Sequence, residues 1–248
     1  MELSLLDFDN TLTNNKGIVL EDTILDIKKY TKDNKICIIS NSSFNELNKF
    51  KCDYSLDISF FSLNNLMGSI DNKLYYSNIK FEKINEIIND FKDYIYTIWS
   101  SNSLNSFIYN YQERLNFFYP KEVRIIFEKL DKDLPYLCIA LNKGNDELFF
   151  KKINKLNLCY EIIASDLKRN IIKIFNEKFD KLSIFNNIIK YFNPNKTIGI
   201  GDGLDNLDFI NLCDEKIAIK DSILSQKIKK TTNKDNNFNG CLEYLINR

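Results

Sequence analysis

A chain of 248 residues in which 34 Lys and Arg balance 34 Asp and Glu carries no net charge, so no overall field draws it to nucleic acid or an anionic membrane. It has no histidine, which removes Ser-His-Asp and Cys-His catalysis and leaves acid–base work to carboxylates, Lys, Tyr or Cys. Its 6 cysteines (Cys37, Cys52, Cys138, Cys159, Cys213, Cys241) form no Cys-x-x-Cys pair and read as reduced core residues, not as a disulfide framework or zinc site.

In chain order, Leu3 to Asp7 reads as a short buried strand, followed by a helix over Glu21 to Lys32, a strand over Lys35 to Ser40 and a helix from Ser43 to about Lys49. The middle of the chain differs. A helix over Phe81 to Phe91 precedes aromatic, β-rich runs at Tyr94 to Trp99, Tyr136 to Leu141 and Tyr160 to Ala164, with a helix at Asp146 to Lys155. The pattern predicts an antiparallel sheet with helices on one face. After it, strand and helix alternate again: helix Lys181 to Phe192, strand Lys196 to Ile200, helix Asp205 to Cys213, strand Lys216 to Ile219, helix Ser222 to Lys230. Strands separated by helices imply right-handed crossovers and a parallel sheet. The expected organisation is therefore α/β: a Rossmann-like parallel-sheet core built from residues 1–67 and 177–248, interrupted by an α+β domain over 68–176. Closure about the two crossings is the expected gating motion.

No apolar run reaches the length of a membrane span, and the N-terminus lacks the basic segment, apolar stretch and cleavage site of an export signal, so a cytoplasmic protein is expected. The basic run Lys227, Lys229, Lys230 reads as a solvated helix face.

Where the first strand ends, Asp7-Phe8-Asp9-Asn10-Thr11 places two carboxylates one residue apart, one available as a nucleophile and one to handle its protons. Side chains alternate along a strand, so the two converge only where the chain leaves the sheet and bends. A calcium loop fails on spacing, because Leu12 sits where the turn glycine belongs and Ile18 where the bidentate Glu belongs. Three further groups arrive at strand ends or helix starts: Ser40, Lys181, and the acid of Gly201-Asp202-Gly203.

The ordered set Asp7-x-Asp9-x-Thr11, Ser40, Lys181, Gly201-Asp202 resembles the haloacid dehalogenase (HAD) superfamily of phosphatases. The resemblance narrows to the Cof-type subfamily, which carries a large C2B-type cap between the second and third motifs. Phe179-Asp180-Lys181, the run GDGLDNLDFI from Gly201, the run IAIKDS from Ile217 and Asn239-Gly240-Cys241-Leu242 extend it through nearly the whole chain.

The resemblance implies a Mg²⁺-dependent phosphatase of a small phosphorylated metabolite, a sugar phosphate or a phosphorylated cofactor, acting as a monomer or homodimer through an aspartyl-phosphate. Carboxylates about 4 Å apart repel by about 4 kcal/mol at an effective dielectric of about 20, so clustered acids demand a cation. All-oxygen ligands suit Mg²⁺. By the resemblance, Asp7 and Asp202 bind it by side chain and Asp9 by backbone carbonyl, with Asp205 as a further ligand. Asp7 is the implied nucleophile and Asp9 the general acid and base. Ser40 and Lys181 are the implied partners of the phosphoryl group, with Thr11, Asn41 and Asn64 also facing substrate. Lys178 is close enough to compete with Lys181.

Two departures stand out. The subfamily has Asn then Asp where this chain has Asp205 then Asn206, so the second acid of the metal site is transposed, and Asp208 is a further candidate. Asn41-Ser42 stands where Gly-Arg is common, so an arginine that would contact phosphate or substrate is missing. The residues also leave open a non-catalytic HAD-fold binding or regulatory protein, or a phosphomutase. The latter would need cap arginines, of which there are Arg114, Arg124 and Arg169.

Overall fold

The computed structural model describes residues 1–63, 66–101, 106–109, 124–127, 132–176 and 181–248. They form two units, residues 1–75 with 179–248 and residues 76–178.

The first unit is built on a 7-stranded sheet. Its parallel part comprises β1 (Glu2–Leu6), β2 (Lys35–Ser40), β3 (Ser59–Ser62), β12 (Lys196–Gly201) and β13 (Glu215–Ala218), in the order β13-β12-β1-β2-β3. These strands are continuous apolar runs because helices cover both faces. On one face Leu6, Ile38, Phe60 and Ile200 pack with α1 (Glu21–Tyr30), α2 (Phe44–Asp53) and α7 (Gly240–Ile246). On the other, Leu3, Leu5, Ile39 and Phe61 pack with α5 (Lys181–Phe192) and the short α6 (Leu207–Ile210). Ser4, buried on the α1 face, hydrogen-bonds the Tyr30 hydroxyl at 2.9 Å, which satisfies both groups.

Beyond β3 the sheet continues with β4 (Met67–Ile70), antiparallel to it, and β5 (Lys73–Tyr76). Asp71 and Asn72 join these strands with φ of 45° and 64°, the left-handed pair a tight two-residue hairpin requires. Most of this hairpin falls in the segment the sequence assigns to the insert, yet its strands extend the core sheet.

The second unit is a 6-stranded sheet ordered β10-β11-β9-β6-β7-β8, from β6 (Ile95–Ser101), β7 (Ser106–Tyr109), β8 (Arg124–Phe127), β9 (Tyr136–Asn142), β10 (Cys159–Ser165) and β11 (Arg169–Phe175). Its pairs are antiparallel except β7 with β8. Ile84, Ile87 and Phe91 of α3 (Phe81–Phe91) and Phe149 and Ile153 of α4 (Asp146–Lys155) pack on Ile98, Ile139, Ile172 and Ile174 of the sheet.

Two expected helices come out shorter. Over Asp205 to Cys213 the chain makes a 3-10 turn at Leu204–Asn206 and then the four-residue α6. Over Ser222 to Lys230 it makes a 3-10 turn at Ile223–Gln226, with Leu224 N–H donating to Asp202 O and residues 230–232 turning back to bond Ala218.

A cleft of about 570 Å³ opens at the amino ends of β1, β12 and β13, the end opposite the Asp7 loop. Glu215 there pairs with Lys196 at 2.7 Å, Arg248 at 3.4 Å and Lys230, and Arg248 also pairs with Glu2. The cleft's charges largely neutralise one another. No helix among the described residues is long and apolar enough to cross a membrane.

Candidate active site

β1 lies between β2 and β12, so the chain reverses direction of progress across the sheet at this point, and the crevice beyond the carboxyl ends of such strands is where open α/β sheets bind ligands. Asp7 follows β1, Asp202 follows β12, and Ser40 ends β2.

Asp7 extends the ladder by one bond, its N–H donating to Ile200 O at 3.1 Å, and then the strand breaks. Phe8 is drawn into the core while Asp9 and Asn10 are exposed. Asn10 takes the left-handed conformation (φ 54°), one of the few residue types that does so readily. The N–H groups of Thr11, Leu12 and Thr13 converge on Phe8 O, and Asn10 N–H donates to Thr13 Oγ1 at 2.9 Å. This small loop fixes where both acids leave the backbone.

Both oxygens of Asp7 are engaged: Phe8 N–H donates to Oδ1 at 2.7 Å and Asn206 Nδ2 donates to Oδ2 at 3.0 Å. Asn206 is buried, 1% exposed, and its Oδ1 accepts from the N–H groups of Asp202 at 3.2 Å and Gly203 at 2.9 Å. Thr11 Oγ1 donates to Asp202 Oδ1 at 3.4 Å. Burial pushes the Asp202 carboxyl above the usual range and the Asp205 charge adds to this, against hydrogen bonds with its own backbone, Thr11 and Asp7.

Ser40 is buried, and its Oγ accepts from Ser42 N–H at 3.0 Å while its carbonyl accepts from Leu63 N–H at 2.8 Å. With the oxygen accepting, its O–H remains to donate. The N-cap of α2 is Ser43, whose Oγ accepts from Glu46 N–H at 3.2 Å, so Ser40 is not the helix cap. Ser42 Oγ donates to Asp9 Oδ2 at 2.7 Å.

The structure thus gathers Asp7, Thr11, Ser40, Asp202 and Asn206 at three adjacent strand ends, with Asp9 tied in through Ser42. Asn41, Asp205 and Asp208 are exposed. Asn64 and Lys178 lie outside the described residues, and Lys181 opens α5 with its side chain also outside them. Ser42 and the amide role of Asn206 were not foreseen. The available signal was the recurrence of hydroxyls at facing strand ends, since Ser40 pairs in register with Ser62.

Among the described residues no three acidic or cysteine side chains gather as a metal cluster. Two neighbouring carboxylates, Asp7 and Asp202, still suit a hard ion that is held by one or two carboxylates and keeps water and substrate in its other positions. Asn206 turns its oxygen to backbone N–H groups and its nitrogen to Asp7, so it presents no oxygen for a metal.

Sequence comparison with curated proteins finds no significant match. Among solved structures, a protein of Thermotoga maritima superposes with a TM-score of 0.73 at 15% identity, over 99% of this chain and 97% of that one. A sugar phosphatase described as HAD subclass IIB superposes with a TM-score of 0.63 at 15% identity, over 100% and 98%. A HAD-superfamily phosphatase of Bacteroides thetaiotaomicron gives 0.65 at 15% identity, over 100% and 94%. At such identities the likeness is one of fold. The family model of the haloacid dehalogenase-like hydrolases matches residues 5–245. With its sequence matched nearly end to end, the chain belongs to the haloacid dehalogenase-like hydrolase family.

Proposed function

We propose that this hydrolase is a Mg²⁺-dependent phosphatase acting on a small phosphorylated metabolite through an aspartyl-phosphate on Asp7. The observation that carries the reading is the placement of Asp7 at the middle of three strand ends, both oxygens held, beside Asp202. A nucleophile fixed in this way has little orientation left to lose on reaching an in-line geometry.

Asp7, Asp202 and the Asp9 carbonyl would hold Mg²⁺, whose positive charge would offset the repulsion between these carboxylates and a phosphoryl group. An Asp7 oxygen attacks phosphorus as the bond to the leaving oxygen breaks, and Asp9 gives that oxygen its proton. Ser40 O–H donates to a phosphoryl oxygen, and the Lys181 ammonium, assigned from the sequence motif, balances its charge. Asp9, now a carboxylate, takes a proton from water; the water oxygen attacks phosphorus, and inorganic phosphate leaves as Asp7 is restored. Retention of a phosphoryl group for transfer, as in a mutase, finds no support at Arg169, whose guanidinium lies 3.9 Å above the Tyr96 ring.

The test is hydrolysis of an aryl phosphate by the purified protein with and without Mg²⁺. Turnover that needs the metal and disappears in Asp7→Asn is expected. Absence of turnover on that probe and on a panel of phosphorylated metabolites would instead support a binding protein.

A further inference from the structure

The proposed general acid, Asp9, is exposed, and an exposed carboxylate on a loop sweeps through several rotamers of which few aim at a leaving group. In this structure it is tethered. Ser42 Oγ donates to Asp9 Oδ2 at 2.7 Å, a well-formed O–H···O hydrogen bond. Ser42 is itself 8% exposed and held through both of its backbone polar groups: its N–H donates to Ser40 Oγ at 3.0 Å, and its carbonyl accepts from the fully buried Ser62 Oγ at 2.6 Å. Ser62 ends β3 and Ser40 ends β2, so the hydroxyl rests on two adjacent strands of the sheet.

The ordinary structural job for a serine here, capping α2, is already done by Ser43. Ser42 therefore needs another explanation, and its hydroxyl points at Asp9.

We propose that Ser42 is the positioning residue for Asp9, fixing the carboxyl by Oδ2 so that Oδ1 is the atom that hands a proton to the leaving oxygen. A carboxyl oxygen that accepts the Ser42 O–H acts as the carbonyl-type oxygen, which leaves the other to carry the acid proton. This assignment rests on the phosphatase reading, and it applies to the proton-transfer half of the chemistry alone.

Proton donation matters most when the leaving group is a poor one, which supplies a readout that general loss of structure would not reproduce. The values of kcat/KM are compared for phenyl phosphate, whose leaving oxygen needs a proton, and 2,4-dinitrophenyl phosphate, which leaves readily without one. In Ser42→Ala, kcat/KM for phenyl phosphate is expected to fall by about tenfold or more, the scale of a charged hydrogen bond, and that for the dinitrophenyl ester by no more than about threefold. Ser42→Thr, which keeps the hydroxyl, should restore most of the phenyl phosphate activity. An equal loss on both esters, no loss on phenyl phosphate, or a Thr variant as impaired as Ala would overturn the assignment. Wild-type turnover of the dinitrophenyl ester, abolished in Asp7→Asn, reports the phosphatase reading separately; a wild type inert to both esters would sink that reading and this assignment with it.

Discussion

The amide nitrogen of Asn206 donates to Asp7 Oδ2 at 3.0 Å across a sequence separation of 199 residues, while the oxygen of the same amide holds the N–H groups of Asp202 and Gly203. One buried side chain therefore shapes the loop after β12 and aims the proposed nucleophile after β1. An aspartate at this position would keep the acceptor and lose the donor, setting two carboxylates face to face. Asn206→Asp is expected to lower metal-free stability by about 1–3 kcal/mol, the cost of an unsatisfied buried polar pair. Mg²⁺ should narrow the gap, since a cation suits the added charge. Thermal melts of both proteins with and without MgCl₂ check this; a gap indifferent to the metal would separate Asn206 from the metal site.

Gly201 shows the same packing from the other side. A Cβ there would lie 2.5 Å from Asn206 Oδ1, a contact that no rotation of the buried amide relieves without breaking its bonds. Gly201→Ala is expected to cost about 1–3 kcal/mol of stability as an overpacking change, and to reduce aryl phosphate turnover at least about tenfold by displacing Asp7. Wild-type turnover in this variant would show that the Asn206 contact does not aim the nucleophile.

At the opposite end of the sheet, burial would raise the Glu215 carboxyl, but hydrogen bonds from Lys196, Lys230 and Tyr244 outweigh it and hold the pKa at about 2, below its ordinary 4.5. A depressed carboxylate contributes stability that is fully present above the unfolded value and fades as pH falls through the folded one. The stability advantage of the wild type over Glu215→Gln should thus be constant above about pH 4.5 and shrink toward pH 2. Denaturant melts across that range measure it, and a gap that widens on acidification would contradict the assignment.

Cysteine accessibility gives a fourth check. Cys37, Cys138, Cys213 and Cys241 are buried, and burial pushes the Cys138 and Cys213 thiols up to about 12, whereas Cys52 is exposed and Cys159 partly so. Thiolate is the reactive form, so iodoacetamide at pH 8 should label Cys52 and Cys159 in the native protein and the other four after denaturation. Rapid native labelling of Cys37 or Cys241 would mean that the core sheet opens locally.

Strands β1, β2 and β12 were legible in sequence because each is an apolar run that stops at a polar turn, and α3, α4 and α5 because their apolar residues recur at helical spacing. The positions of Asp7, Ser40 and Asp202 follow from those strands. What lay beyond the sequence was decided by hydrogen bonds formed between distant segments. Where a helix is expected over Ser222 to Lys230, the chain makes a 3-10 turn flanked by backbone bonds to the distant Asp202 and to Ala218. The β4–β5 hairpin pairs with β3, and local patterning cannot say which sheet a hairpin joins. Ser42 was visible merely as an absent arginine, and its partner Asp9 is 33 residues away.

The pairing of Glu2 with Lys196, which brackets β1 between β2 and a strand from far down the chain, also bears on how the protein is made. During synthesis β1 and β2 emerge early, yet the middle of the sheet stays open until β12 has left the ribosome. The strands and helices of residues 76–178 pair and pack within that segment, so it can fold while the core still waits. An unfinished chain would then present an ordered insert beside an unpaired β1 edge, the kind of exposed strand that recruits aggregation or chaperones.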